Sequence, residues 1–266
     1  MTPNTPLRFA YSTINWGTRC DLAAALTEMR ASGWQAVELF DHSLDWLGTP
    51  DHLRVLLDGL QVAAFFGGIS VPVEREQIAV HKRRIDYAAL FGAAMYGLVG
   101  GARLRHRPPT DDEYSNLADA CEELAVYAAD QGIGIAYHPH TGCTIETEAE
   151  IDILLARTQT TQLCLDVSHI ALVGEDPVTQ LRKYRQRIGY IHMKDWARGR
   201  FVELGEGTIG LDFPALLAEL ESWPYRGWLV IENSRSDISP AHSAQFNADY
   251  LRGLGYTLSL TQAVNS

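Results

Sequence analysis

The sequence predicts one α/β domain over residues 1–266, an eight-stranded parallel (β/α)8 TIM barrel. Short β-rich runs alternate with amphipathic helical stretches along nearly the whole chain, the signature of successive βα units. The β-rich runs number eight, which closes a barrel. A length of 266 residues suits one such barrel.

In chain order the strands are expected at 8–13, 36–40, 62–66, 95–99, 133–138, 162–166, 190–192 and 228–232, each a short run rich in apolar and β-branched residues. Helices are expected at 21–31, 50–57, 74–91, 111–130, 147–156, 177–187, 212–221 and 241–251. Thr110 with Glu113 three residues later forms a capping-box pattern, and Asp176-Pro177 places a cap before a first-turn proline. Gly33, Gly132 and Gly227 each precede a strand, where a left-handed residue commonly turns the chain back.

Composition excludes several function classes. Hydrophobic residues make up 46% and charged residues 21% of the chain, which fits a protein with a sizeable core. No apolar run approaches the roughly 20 residues that span a bilayer, and MTPNTPLRFAYS has neither a basic nor an apolar leader region, so a cytoplasmic protein without membrane partners is expected. Cys20, Cys121, Cys143 and Cys164 form no CxxC pair and read as reduced thiols. A net charge of −11 opposes nucleic-acid binding. The one basic knot, Arg103, Arg105, His106 and Arg107, reads as a solvated loop or as a contact beside the site, because it follows the fourth strand.

The chemistry concentrates at the ends of the last four apolar runs. IGIAYHPH stops at His138 and His140, LCLDVSH at Asp166, YIHMKD at His192 and WLVIEN at Glu232. An ionisable group at the edge of a core carries a desolvation cost, so four in register call for a partner they share. If the strands close, these side chains meet at the barrel mouth, where such folds keep their active sites. Two imidazoles and two carboxylates suit a divalent transition metal better than calcium, with either His138 or His140 supplying the fifth-strand ligand. Manganese or cobalt is the expected ion, and magnesium, iron(II) or zinc is also admissible. No ATP or dinucleotide glycine pattern is present in its required context.

DVSH with IALVG, IHMKD, LGEG with FPALLAEL, and GWLVIEN together resemble the C-terminal half of the xylose isomerase-like sugar isomerase/epimerase barrels. Within that superfamily, YHPHTGCTIETEAEIDILL and LRKYRQRIGYIHMKDW are similar to the inosose dehydratases. The resemblance covers roughly 111–251 well and the first hundred residues in outline, through AYSTINWG and GWQAVELF. It implies that Asp166, His192 and Glu232 are metal ligands. Isomerases of the superfamily usually place a glutamate where this chain has His138, and that departure favours the dehydratase branch. The resemblance also implies that Glu38 faces sugar hydroxyls; the competing reading is a surface acid beside Asp41.

His169, three residues after Asp166, can reach the same pocket as acid, base or extra ligand, and Lys194 follows His192 as an enolate-stabilising cation or as a loop charge. Asn15, Trp16, Phe65 and Trp196 sit at or beyond strand ends and can wall a sugar ring, although packing explains the aromatics equally well. The expected activity is metal-dependent removal of water from a keto-cyclitol or keto-sugar, with His140 or Glu232 as base and His169 or Lys194 assisting loss of the β-hydroxyl. The alternatives are an isomerase or epimerase sharing the same enediolate, and a lyase cleaving 3-keto-glycosides. The expected partner is a small keto-sugar or keto-cyclitol, and a homo-oligomer is compatible with the sequence.

Overall fold

The structure is a computed structural model describing residues 6–258. Eight parallel strands close a barrel: β1 (Arg8–Ser12), β2 (Ala36–Phe40), β3 (Gln61–Ile69), β4 (Met95–Gly100), β5 (Gly134–His138), β6 (Gln162–Asp166), β7 (Ile188–Met193) and β10 (Trp228–Ile231), with β10 pairing back onto β1. A two-stranded antiparallel hairpin, β8 (Asp195–Ala197) and β9 (Arg200–Val202), projects after β7. The fold is the expected barrel.

Period-two alternation sorts the strand residues into two layers. Val37, Leu39, Phe65, Ile135, Leu163, Ile191, Leu229 and Ile231 belong to the core packed with the helices. Ala10, Ala36, Ala64, Phe66, Met95, Ala136, Cys164, Tyr190, Trp228 and Val230 form the second cluster, inside the barrel. The many alanines leave room for a few large side chains. Gly97 is one such concession, since a β-carbon there would land inside the Phe66 ring.

The surrounding helices are α1 (Leu22–Ala31), α2 (Leu44–Leu47), α3 (Pro50–Leu57), α4 (Arg75–Ala89), α5 (Asp111–Ala129), α6 (Glu148–Arg157), α7 (Val167–Leu172), α8 (Pro177–Tyr184), α9 (Phe213–Glu221) and α10 (Pro240–Gly253). The capping box of Thr110 and Glu113 forms, and Asp176 caps α8 ahead of Pro177. Gly33 and Gly132 adopt φ of 89° and 74°. Gly227 departs from expectation: its φ is not in the left-handed region, and it is glycine because a β-carbon would collide with the Tyr225 hydroxyl and the Gly189 carbonyl. All four cysteines are free thiols. Among the described residues no helix is long and apolar enough to cross a membrane.

The basic knot is largely neutralised. Arg103 pairs with Glu146 and Glu150, and Arg107 makes two bonds to Glu113, at 2.7 and 2.8 Å. Arg105 and His106 are exposed. Arg103 also bonds the Cys143 and Gly142 carbonyls, and Ala102 bridges to Cys143, so this loop braces the turn that follows β5.

Candidate metal centre and active site

Strand ends bring His138, Asp166, His192 and Glu232 together: one ligand atom from each lies within 4.8 Å of all the others, and all four residues are buried. The register explains it, since β6 and β7 set Asp166 opposite His192, and β10 follows β7 with Val230 opposite His192. His192 Nδ1 is 3.0 Å from Glu232 Oε2 and 3.9 Å from Asp166 Oδ2, and His138 Nε2 is 4.0 Å from the same Asp166 oxygen. Asp166 Oδ2, His192 Nδ1 and Glu232 Oε2 are buried without a hydrogen bond of acceptable geometry. Buried polar atoms left unpaired are costly, and donor atoms about 3–4 Å apart are spaced to share one ion at about 2.0–2.2 Å. The donor set fits a divalent cation.

Three of these side chains, Asp166, His192 and Glu232, are held from behind. Asp166 caps α7, its Oδ1 accepting from the amides of Ser168 at 2.9 Å and His169 at 3.1 Å, which leaves Oδ2 to face the cluster. His192 Nε2 lies 2.7 Å from Glu38 Oε2, so the ring donates its Nε2 proton there and presents Nδ1 to the cluster. A carboxylate behind a metal-binding histidine is the usual device for fixing its tautomer. Lys194 is fully buried, with Nζ 2.8 Å from Glu232 Oε1 and 2.9 Å from Asp166 Oδ2. Burial works to discharge this lysine, but the two carboxylates outweigh it and hold its pKa above the ordinary value. Burial raises the Glu232 pKa, yet Lys194 and His192 more than reverse that and hold it well below the usual carboxylate range.

His138, rather than His140, joins the four-residue cluster. Burial, reinforced by His192, His140 and Lys194, keeps His138 neutral by pushing its pKa well down. His140 instead packs against His169, with ring centroids 3.7 Å apart and the planes tilted by 42°. Burial also lowers the pKa of both these rings, chiefly opposed at His140 by its bond to Thr141 and assisted at His169 by Lys194. The hairpin closes over this pair. Phe201 of β9 packs edge-on to His169 at 5.2 Å, with Lys194 Nζ 4.4 Å from its ring centroid. Trp196 of β8 supports Phe201 at 4.8 Å.

The sequence of residues 26–254 matches the family model described as a xylose isomerase-like TIM barrel. The chain belongs to that family. Inosose dehydratase of Lacticaseibacillus casei is 28% identical over 93% of this chain and 93% of its own. An L-ribulose 3-epimerase structure superposes with a TM-score of 0.79 at 19% identity, covering 94% of both chains. A crystal structure of the IolI protein with a bound zinc atom superposes at 0.74 with 17% identity, covering 92% of this chain and 97% of that one. The curated relatives are enzymes, and this chain is an enzyme of the xylose isomerase-like superfamily.

In this xylose isomerase-like barrel, four of the residues expected at the sugar are held by protein contacts. Glu38 is wholly buried on His192 and does not face an open pocket. Phe65 packs outward on Tyr87 and Phe91, and the residue beside His138 and His192 is its neighbour Phe66. Trp16 donates its indole N–H to Glu28 of α1 at 2.6 Å and packs edge-on to Tyr11, in the helix layer. Asn15 ties the end of β1 to the end of β10, its Oδ1 accepting from the amides of Asn233 at 2.7 Å and Ser234 at 2.8 Å. Ser234, with φ of 58°, in turn donates to Glu232 Oε1 at 2.7 Å. Sequence reasoning missed Phe66, Thr141, Phe201 and Ser234. An aromatic two residues after Gly199 in a short polar connection was the available signal for Phe201.

Proposed function

We propose that the protein is a divalent-metal-dependent lyase that removes water from a keto-cyclitol or keto-sugar, as the inosose dehydratases it resembles are named for doing. His138, Asp166, His192 and Glu232 would hold the ion. When bound, it supplies Lewis acidity that lowers the pKa of a proton α to a ketone.

The observation that carries this reading is the state of Glu232. Its Oε1 accepts from Lys194 and Ser234 and its Oε2 faces the metal cluster, so neither oxygen is free to collect a substrate proton. His138 occupies the fifth-strand position, with Nε2 4.0 Å from Asp166 Oδ2 of the same cluster. His140, half-buried and neutral, is then the base. Elimination needs one carbon-bound proton removed, whereas epimerisation needs bases on two faces. Phe201 and Trp196 shield the pocket beside His169, and Lys194 holds two carboxylates in place.

Incubating the manganese-loaded enzyme with 2-keto-myo-inositol in D₂O tests the reading. The expected result is an α-diketone absorbing in the ultraviolet, with His138→Glu losing dehydration. Exchange of the α-proton with an epimer or shifted ketone as the only product would replace the lyase by an isomerase.

A further inference from the structure

Bonded to both His140 and His169 is a residue with no obvious chemistry, Thr141. It contacts each ring through a backbone group whose hydrogen-bonding sense is fixed. Its carbonyl oxygen lies 2.8 Å from His140 Nδ1. A carbonyl only accepts, so His140 Nδ1 carries its proton and Nε2 keeps the lone pair. The Thr141 amide donates to His169 Nδ1 at 3.4 Å, and the Thr141 hydroxyl lies 2.9 Å from the same nitrogen. An amide N–H only donates, so His169 Nδ1 is the acceptor and its one proton sits on Nε2. His169 Nε2 is buried, without a protein partner, and 3.9 Å from Asp166 Oδ2.

We propose that Thr141 is a positioning residue that fixes opposite tautomers in His140 and His169, making the first the site's single base and the second a fixed hydrogen-bond donor. This rests on the dehydratase reading for its chemistry, but the tautomers themselves do not. The backbone that imposes them is stiff. Cys143 N donates to the His140 carbonyl at 3.0 Å and His140 N to Ile145 O at 3.0 Å, and Gly142 takes φ of 79° to close the turn. Thr144 Oγ1 bonds Gly101 O at 2.7 Å, and Arg103 N bonds Gly142 O at 2.8 Å, clasping the turn to the end of β4.

The division of labour balances. His140 Nε2 takes the α-proton, and the electron pair left on carbon forms the new double bond as the β-carbon–oxygen bond breaks. His169 Nε2–H holds the departing oxygen by a hydrogen bond, and the proton on His140 is returned to that oxygen. Water leaves and both imidazoles finish neutral. His169 cannot act as a second base, because its inward nitrogen already bears hydrogen. The same proton makes His169 a poor metal ligand, although His138, His140 and His169 also lie close enough together to be a candidate group.

The test is two-bond ¹H–¹⁵N correlation on the ¹⁵N-histidine-labelled, metal-free full chain near neutral pH, with His140→Gln and His169→Gln giving the assignments. The expected result is the Nδ1–H pattern for His140 and the Nε2–H pattern for His169. Thr141→Val, which keeps the backbone groups and loses the hydroxyl, should leave both tautomers unchanged, because the backbone carbonyl and amide set them. Finding the same tautomer at both rings overturns the proposal. In D₂O with 2-keto-myo-inositol, His169→Ala should keep α-proton exchange while dehydration falls roughly 100-fold or more, and His140→Ala should lose both. Loss of exchange in His169→Ala would overturn the assignment of the base. Opposite tautomers in a wild-type enzyme that leaves this ketone untouched would support Thr141's role and discard the substrate reading alone.

Discussion

Lys194 Nζ lies 2.8 Å from Glu232 Oε1, while the other oxygen of that carboxylate lies 3.0 Å from His192 Nδ1. One carboxylate thus joins a buried ammonium to the metal cluster. Removing one partner of a buried ion pair leaves an uncompensated charge, at about 3–5 kcal/mol. Lys194→Met should therefore lower the stability of the metal-free protein by that amount in urea denaturation. A saturating divalent ion should recover part of the loss, because it neutralises the same oxygens.

Glu38 acts through His192. Replacing it by glutamine keeps an acceptor of the same shape but removes the charge that holds the Nε2 proton. Loss of such a partner typically weakens metal binding about 10–100-fold. Competition titration against a fluorescent chelator should show that drop in Glu38→Gln. An unchanged affinity would mean that the His192 tautomer is set elsewhere.

Gly97 lies under Phe66, whose ring packs 5.0 Å from His192 and 6.2 Å from His138. A methyl group at Gly97 must push that ring toward the site. Gly97→Ala should cost about 1–3 kcal/mol of stability by overpacking. It should also weaken metal binding, which the same chelator titration reads.

His81 on α4 is buried with Nδ1 2.8 Å from the Tyr96 hydroxyl, and burial together with Arg84 lowers its pKa to about 4. The folded value lies below the unfolded value of about 6.5, so the unfolded chain binds the extra proton first. Stability from this group is complete above pH of about 6.5 and is lost as the pH falls toward 4. At about 1.4 kcal/mol per unit this is on the order of 3 kcal/mol. Denaturation midpoints measured from pH 7 to 4 should fall less steeply in His81→Gln than in the wild type.

The barrel and the four converging strand ends were legible because both are written in a local code. Apolar runs mark parallel strands, and an ionisable residue at the end of a buried run stands out against its neighbours. Facing was harder to read. β3 is almost entirely apolar, so nothing in QVAAFFGGI distinguishes Phe65 from Phe66, and β2 shifts register against it between Val37 and Glu38. The family resemblance implies that Glu38 faces sugar hydroxyls, but its depth below the mouth depends on its pairing with His192, 154 residues away. α2 and α7, with four and six residues, are shorter than the period that would reveal them. The 195–202 hairpin lies outside any long apolar run, and its turn at Arg198-Gly199, with φ of 54° and 76°, carries only a single glycine as a signal.

Four strand ends are expected to share one divalent ion. Elemental analysis of the purified chain and of its Asp166→Ala, His192→Ala and Glu232→Ala variants, after dialysis against manganese and removal of free metal, tests it directly. The account predicts one ion per chain in the wild type and its loss in each variant. Stoichiometric metal retained in all three would contradict it.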